Sequence, residues 1–375
     1  MKLIKHAAVA VAALLACGGA FAASSVATGL LYGSHVERAV LAGDGDANAD
    51  YISLNRVDLN IPTSPFSGVV SINIRFDIGT ANQASFICSG ALLNSTHVLT
   101  AAHCIDKNDD GTAITLNANN DVRVIFNHNN PNNLSAANGG ATRIAASAAI
   151  MHGDYQGFGN CPVGVNSFCL NDDLAIIRLS APAPAAAARY SLWNGELMEG
   201  QTITMAGYGT SGTGLLGHIG STASFYRKKT AENRTDLFDL DDEQGFVAGP
   251  KEVYYADFDG FDFRRQFQDT FCQIDAWCSP TRGTNVEGNI GGGDSGGPSF
   301  VKIGGVYYLA ANNTFGGTYP DQVSGTYGTY FGGMAVGAYA EWIGDVTAVP
   351  EPGTYAMFLA GLAAVAGIAR RRKAS

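Results

Sequence analysis

The cysteines constrain this chain more than any other residue type. Seven occur, and the first, Cys17, lies in a segment that reads as a secretory signal. Lys2 and Lys5 are followed by an apolar run from Ala7 to Ala16 and then by Ala20-Phe21-Ala22, a small-x-small cleavage site. That run is too short to span a bilayer. Leu14-Leu15-Ala16-Cys17 gives a lipoprotein-type cleavage site as the lesser alternative. Removal of residues 1–22 leaves six cysteines in an oxidising compartment, where disulfides are the default. Six cysteines allow fifteen pairings, and sequence alone does not choose among them. Their clustering suggests Cys88 with Cys104, Cys161 with Cys169, and Cys272 with Cys278. Zinc would require CxxC-type ligand spacing, which does not occur.

The rest of the composition narrows the architecture. With 46% hydrophobic and 15% charged residues the chain can bury a sizeable core. Its 47 glycines, 19 phenylalanines and 15 tyrosines favour a turn-rich β architecture. The formal charge is −10, and the longest run of basic residues is Arg370 to Lys373 at the extreme C-terminus, so no electrostatic footprint for nucleic acid is visible.

Three segments carry chemistry, in a fixed order. The first is Cys88-Ser89-Gly90-Ala91-Leu92-Leu93 with Val98-Leu99-Thr100-Ala101-Ala102-His103-Cys104. The second is Asn171-Asp172-Asp173-Leu174-Ala175-Ile176-Ile177, and the third Gly291-Gly292-Gly293-Asp294-Ser295-Gly296-Gly297-Pro298. Together they resemble the chymotrypsin/trypsin-like serine proteases, and the order His, Asp, Ser is that of chymotrypsin rather than of subtilisin or the α/β-hydrolases. Gly293 to Gly297 also satisfies the bare GxSxG pattern of esterases, which the order of the triad argues against. Further similarities are Gly207-Tyr208-Gly209-Thr210, Thr314-Phe315-Gly316 and Glu341-Trp342-Ile343. The resemblance spans residues 56–345 and implies an all-β fold, two six-stranded antiparallel barrels with a cleft between them and a closing C-terminal helix. The Ala/Pro-rich stretch at 181–188 reads as the link between barrels, with the boundary near 180–200.

The same resemblance implies roles. A serine hydroxyl is a weak nucleophile at neutral pH, so His103 would take the proton of Ser295 and Asp173 would orient the imidazole. Asp173 fits better than Asp172 because it directly precedes Leu174-Ala175-Ile176. Backbone N–H groups of Gly293 and Ser295 would form the oxyanion hole. No cofactor is expected. The specificity pocket would comprise Asn289, Thr314, Phe315 and Gly316, with a neutral floor at Asn289 that argues against Arg or Lys selection. Gly291 replaces the cysteine that borders the family's pocket. No Ile-Val-Gly-Gly start is present; cleavage at Arg56-Val57 is the best candidate for freeing an α-amino group that pairs with Asp294, since Val40-Leu41-Ala42-Gly43 lies too far upstream. Residues 23–56 would then form a pro-segment and 57–345 the protease domain.

Acidic loops raise the question of structural calcium. Asp106-Lys107-Asn108-Asp109-Asp110-Gly111 begins like a calcium loop, yet Asn117 stands where an EF-hand needs glutamate. There, at Asp236 to Glu243 and at Asp257 to Asp262, a plain turn is the expectation and calcium the alternative. The C-terminus resembles the PEP-CTERM sorting signal of Gram-negative bacteria: Pro350-Glu351-Pro352, an apolar stretch from Tyr355 to Ala369, and four cations. That resemblance implies recognition of segment 349–375 by an exosortase, a hydrophobic sorting helix in the inner membrane before processing, and delivery to the periplasm, envelope or exterior. Protein or peptide substrates are the remaining expected partners.

Overall fold

The computed structural model describes residues 57–129, 141–219, 222–274, 278–283 and 286–348, with the backbone of one short upstream strand, β1 (His35–Arg38). The signal peptide, most of the pro-segment and the C-terminal sorting segment lie outside the described residues. Among the described residues no helix is long and apolar enough to cross a membrane.

Six strands make the first half: β2 (Val69–Phe76), β3 (Ala84–Leu92), β4 (His97–Thr100), β5 (Asp121–Phe126), β6 (Thr142–Met151) and β7 (Ala175–Leu179). They close into a barrel in the order β2-β3-β4-β7-β6-β5, as the resemblance implies. Period-two patterning drives the closure. In β2, Val70, Ile72, Ile74 and Phe76 point into the barrel core, and Ser71, Asn73 and Arg75 alternate with them. Each such side chain, fully buried, contributes roughly 1.5–3 kcal/mol. In β7, Ala175 and Ile177 fill the barrel, and Ile176 faces the other way into a layer shared with Tyr208, Phe300, Leu309 and Phe315 of the second half. One short strand thereby fastens both halves together.

The second half contains β8 (Thr202–Gly207), β9 (Ser211–Thr213), β10 (Gly217–Ile219), β11 (Lys229–Arg234), β12 (Leu237–Leu240), β13 (Lys251–Asp257), β14 (Gly260–Phe261), β15 (Phe267–Gln268), β16 (Pro298–Ile303), β17 (Val306–Thr318) and β18 (Tyr330–Ala335). Its main path runs β11-β8-β16-β17-β18-β13-β12, with β1 attached to β17. β12 is one strand more than six; it pairs with β13 through the acidic hairpin at 241–250. β9 with β10 and β14 with β15 form small ribbons. Helix α1 (Thr270–Gln273) is capped by Asp269, whose carboxylate accepts the Cys272 N–H, and α2 (Ala340–Thr347) closes the chain with Ile343 buried. The link between halves falls at 180–201, between the end of β7 and the start of β8.

All three disulfides follow the clustering: Cys88 to Cys104, Cys161 to Cys169, and Cys272 to Cys278.

Candidate active site

His103 sits in a single 3-10 turn, Ala102–Cys104, directly after β4. The next residue, Cys104, is tied to Cys88 in the middle of β3, so the turn is anchored to the barrel wall. Asp173 lies two residues before β7 and is buried. Its carboxylate grips the turn at two points: Oδ1 accepts the His103 backbone N–H at 2.8 Å, and Oδ2 lies 2.6 Å from His103 Nδ1. That contact fixes which ring nitrogen remains for other work, namely Nε2. Asp172 points elsewhere. Its backbone adopts φ +62, and its Oδ1 lies 3.2 Å from His152 Nδ1.

Ser295 occupies the turn between Gly291 and Gly297, just ahead of β16. Its carbonyl accepts the Ser89 N–H at 2.8 Å, which ties the turn to β3 of the first barrel. His103 and Ser295 both line one cavity of about 430 Å³ at the junction of the halves, walled by Phe86, Ile87, Gly292 and Gly293. Gly293 has φ +103, a conformation in the left-handed region where glycine is favoured. Among the described residues no hydrogen bond takes the backbone N–H of Gly293 or Ser295.

Asp294 holds this turn from behind and is fully buried. Its Oδ1 accepts the Gly209 N–H at 2.8 Å and its Oδ2 the Gly291 N–H at 3.1 Å. A Cβ on Gly209 would stand 2.3 Å from Asp294 Oδ2, which accounts for the glycine-aromatic-glycine turn at 207–209. The charge that acts on Asp294 belongs to Lys229, whose Nζ donates to Gly209 O and, at 2.8 Å, to Ser211 Oγ. Burial pushes the Asp294 carboxyl up and the Lys229 ammonium down, and their mutual attraction opposes both shifts. In the uncleaved chain Val57 is a bridge partner of Lys229, the residue whose charge acts on Asp294.

The residues expected around the pocket are mostly buried. Asn289 is buried with its amide engaged: Nδ2 donates to Thr329 Oγ1 at 2.7 Å, and Oδ1 accepts the Ile290 N–H at 2.6 Å. Thr314 and Phe315 are buried, Phe315 against the Tyr255 ring at 5.3 Å between centroids, while Gly316 is half-buried. Thr314 is next in sequence to Asn313, whose carbonyl accepts the Gly296 N–H at 2.7 Å, so β17 runs directly past the Ser295 turn.

Two participants escaped the sequence reading. Lys229 belongs to a strand whose residues alternate between buried and half-exposed, and nothing local marks its ammonium as interior. Asn312 Nδ2 donates to the carbonyls of Thr100 and Asp173, linking β17 to both segments that carry the His and Asp. As for cations, the Asp106 carboxylate accepts the N–H groups of Asn108, Asp109 and Gly111, which closes that loop as a turn. Among the described residues three groups offer oxygens within 4.8 Å of one another and could hold a cation: Asp257 with Asp259 and Asp269, Asp172 with Asp242 and Glu243, and Asp241 with Glu243 and Glu252.

A closed six-strand barrel joined to a second antiparallel sheet, with histidine, aspartate and serine at their junction, defines a class. The Trypsin family model matches residues 61–230, a range that contains His103 and Asp173 and stops before Ser295. The PEP-CTERM protein-sorting motif matches residues 348–373. The chain thus carries a trypsin-like domain, which supports a serine-type endopeptidase by class, and a PEP-CTERM sorting motif after it. No curated protein matches the chain.

Proposed function

We propose that the chain hydrolyses peptide bonds through a covalent acyl-enzyme, with Ser295 as nucleophile, His103 as general base and acid, and Asp173 as the group that orients His103. The observation carrying this reading is the two-point grip of Asp173 on His103 beside a cavity that Ser295 also lines. Ser295 Oγ bonds to the carbonyl carbon of the substrate while its proton passes to His103 Nε2. The peptide C–N bond then breaks, and His103 returns that proton to the leaving nitrogen. Water, deprotonated by His103, attacks the ester and frees the acid and Ser295 Oγ–H. Asp173 retains the Nδ1 proton and stabilises the imidazolium in both steps.

The N–H groups of Gly293 and Ser295 receive the oxyanion. Asp294, through Gly209, Gly291 and the charge of Lys229, holds the turn that presents them. Cleavage at Arg56-Val57 would free an amino group next to the backbone of Lys229, adding a second cation near Asp294. Asn289, Thr314, Phe315 and Gly316 form a neutral pocket region, which suits an uncharged side chain before the cut bond. Residues 1–22, 23–56, 57–345 and 349–375 serve as signal, pro-segment, protease domain and sorting segment. The last of these meets an exosortase at the inner membrane, where it anchors the chain before processing.

A serine-directed fluorophosphonate tests the assignment. Labelling of the full chain that disappears in Ser295→Ala supports it, and an unlabelled full chain with intact disulfides sinks it.

A further inference from the structure

β17 is paired along only part of one edge by β16. Their register runs from Ile303 opposite Val306 to Pro298 opposite Asn312, and there β16 ends because the chain preceding Pro298 is the Ser295 turn. That turn takes the next position of β17: the Asn313 carbonyl accepts the Gly296 N–H at 2.7 Å, and the Asn313 N–H donates to the Gly297 carbonyl at 2.8 Å. Beyond it the edge is taken by β1. Arg38 lies opposite Phe315, Glu37 opposite Gly316, Val36 opposite Gly317 and His35 opposite Thr318.

Direction gives this pairing its meaning. β1 and β16 are both antiparallel to β17, so they run the same way, and the C-terminal end of β1 heads toward the start of β16. Only Thr314 separates the last β1 partner, Phe315, from Asn313, which the Ser295 turn holds. A peptide on this edge therefore approaches the nucleophile with its carbonyl end leading, which is the polarity that an acyl donor to Ser295 must have. Main-chain pairing supplies such a site with affinity that is independent of side-chain sequence.

We infer that residues 35–38 of the same chain occupy the β17 edge from Phe315 to Thr318 in the uncleaved protein, in the orientation of a substrate. This deepens the peptidase reading and rests on it. A tethered occupant competes at an effective concentration on the order of millimolar, so the uncleaved chain is held back on extended peptides. Small reagents that react with Ser295 and need no strand are not held back. The site is formed but its peptide track is filled.

The test uses the full chain and two variants, Val36→Pro and Glu37→Pro. Adjacent residues in an antiparallel ladder alternate between bonded and non-bonded pairs, so one of the two prolines removes a ladder donor. Three quantities are measured: the rate of fluorophosphonate labelling, kcat/KM on an extended neutral peptide, and inhibition by a synthetic peptide of residues 33–38. The expected result is labelling within about twofold of the parent in all three chains, and about tenfold or greater kcat/KM in at least one proline variant. In that variant the added peptide should compete with substrate. Normal labelling with unchanged turnover in both variants overturns the docking inference and leaves the peptidase reading intact. Failure of every chain to label overturns the peptidase reading, and the docking inference with it.

Discussion

The two halves of this enzyme contribute to one site in contrasting ways. The first barrel is filled by aliphatic and aromatic side chains, and its buried acids, Asp106, Asp172 and Asp173, lie in the loops at its rim. The second half buries Lys228, Lys229, Asp236, Asp239, Asp242, Glu252, Asp257, Asp259, Glu287 and Asp294. Lys228 is matched by Asp58 at 2.9 Å, but the acids outnumber the buried cations. A closed apolar barrel can hold a histidine rigidly at low electrostatic cost. The half that holds Ser295 instead depends on charges that must stay paired or protonated.

The largest effect should show that the halves act as one unit. His103→Ala from the first and Ser295→Ala from the second should each lower kcat by about a million-fold, and the double variant should lose no more. Additive losses, measured on one peptide substrate, would mean that the two residues act separately.

Next in size is Lys229→Met, which leaves Asp294 buried without its cation. The ammonium also donates to Gly209 O and Ser211 Oγ, and hydrogen bonds from a charged donor are worth about 1.5–3 kcal/mol each, so the turn at 291–297 loses support. Both the melting temperature and the fluorophosphonate labelling rate should fall in the uncleaved chain. A melting change with unaltered labelling would reduce Lys229 to a structural residue.

Disulfides separate the halves by a smaller margin. Opening Cys88–Cys104, with a sequence separation of 16, should cost about 3 kcal/mol, and opening Cys272–Cys278, with a separation of 6, about 2 kcal/mol. Only the first should also slow catalysis, because it anchors the His103 turn. Equal loss of activity in the two double-serine variants would contradict that division.

The smallest effect is a slope with pH. Burial first, then neighbouring carboxylates, raises Asp259 to about 10, Asp242 to about 9 and Glu252 to about 8. These groups hold protons in the fold that the unfolded chain releases near pH 4, so their stabilising share is complete below that pH and is lost as pH rises toward 8–10. Melting temperature should therefore decline from mildly acidic to alkaline pH, and Asp242→Asn should flatten the decline. A decline of the same steepness in Asp242→Asn would assign the slope to other groups. A bound calcium would abolish it instead, and calcium titration separates that outcome.

Much of the site was legible because its residues sit in local patterns. Asp173 could be preferred to Asp172 from the apolar run after it, and the structure turns the two aspartates to different partners, His103 and His152. The first barrel was implied by the resemblance, and period-two strands such as β2 show in the structure why it closes. The second half was less legible because its organising contacts are non-local and polar. Lys229 looks like any solvated strand lysine until β8 and the Ser295 turn close over it. The orientation of Asn289 depends on Thr329, 40 residues later, which accepts from its amide. His35 to Arg38 carries no apolar alternation to announce a strand; its pairing comes from an edge that β16 leaves open.

The covalent link beside His103 also has a bearing on when this chain becomes dangerous. Cytoplasmic thiols are kept reduced, so a copy not yet exported would have Cys88 and Cys104 apart and the His103 turn without its tie to β3. Export supplies the oxidant. The bond that steadies the His103 turn would then close only where the sorting motif sends the chain.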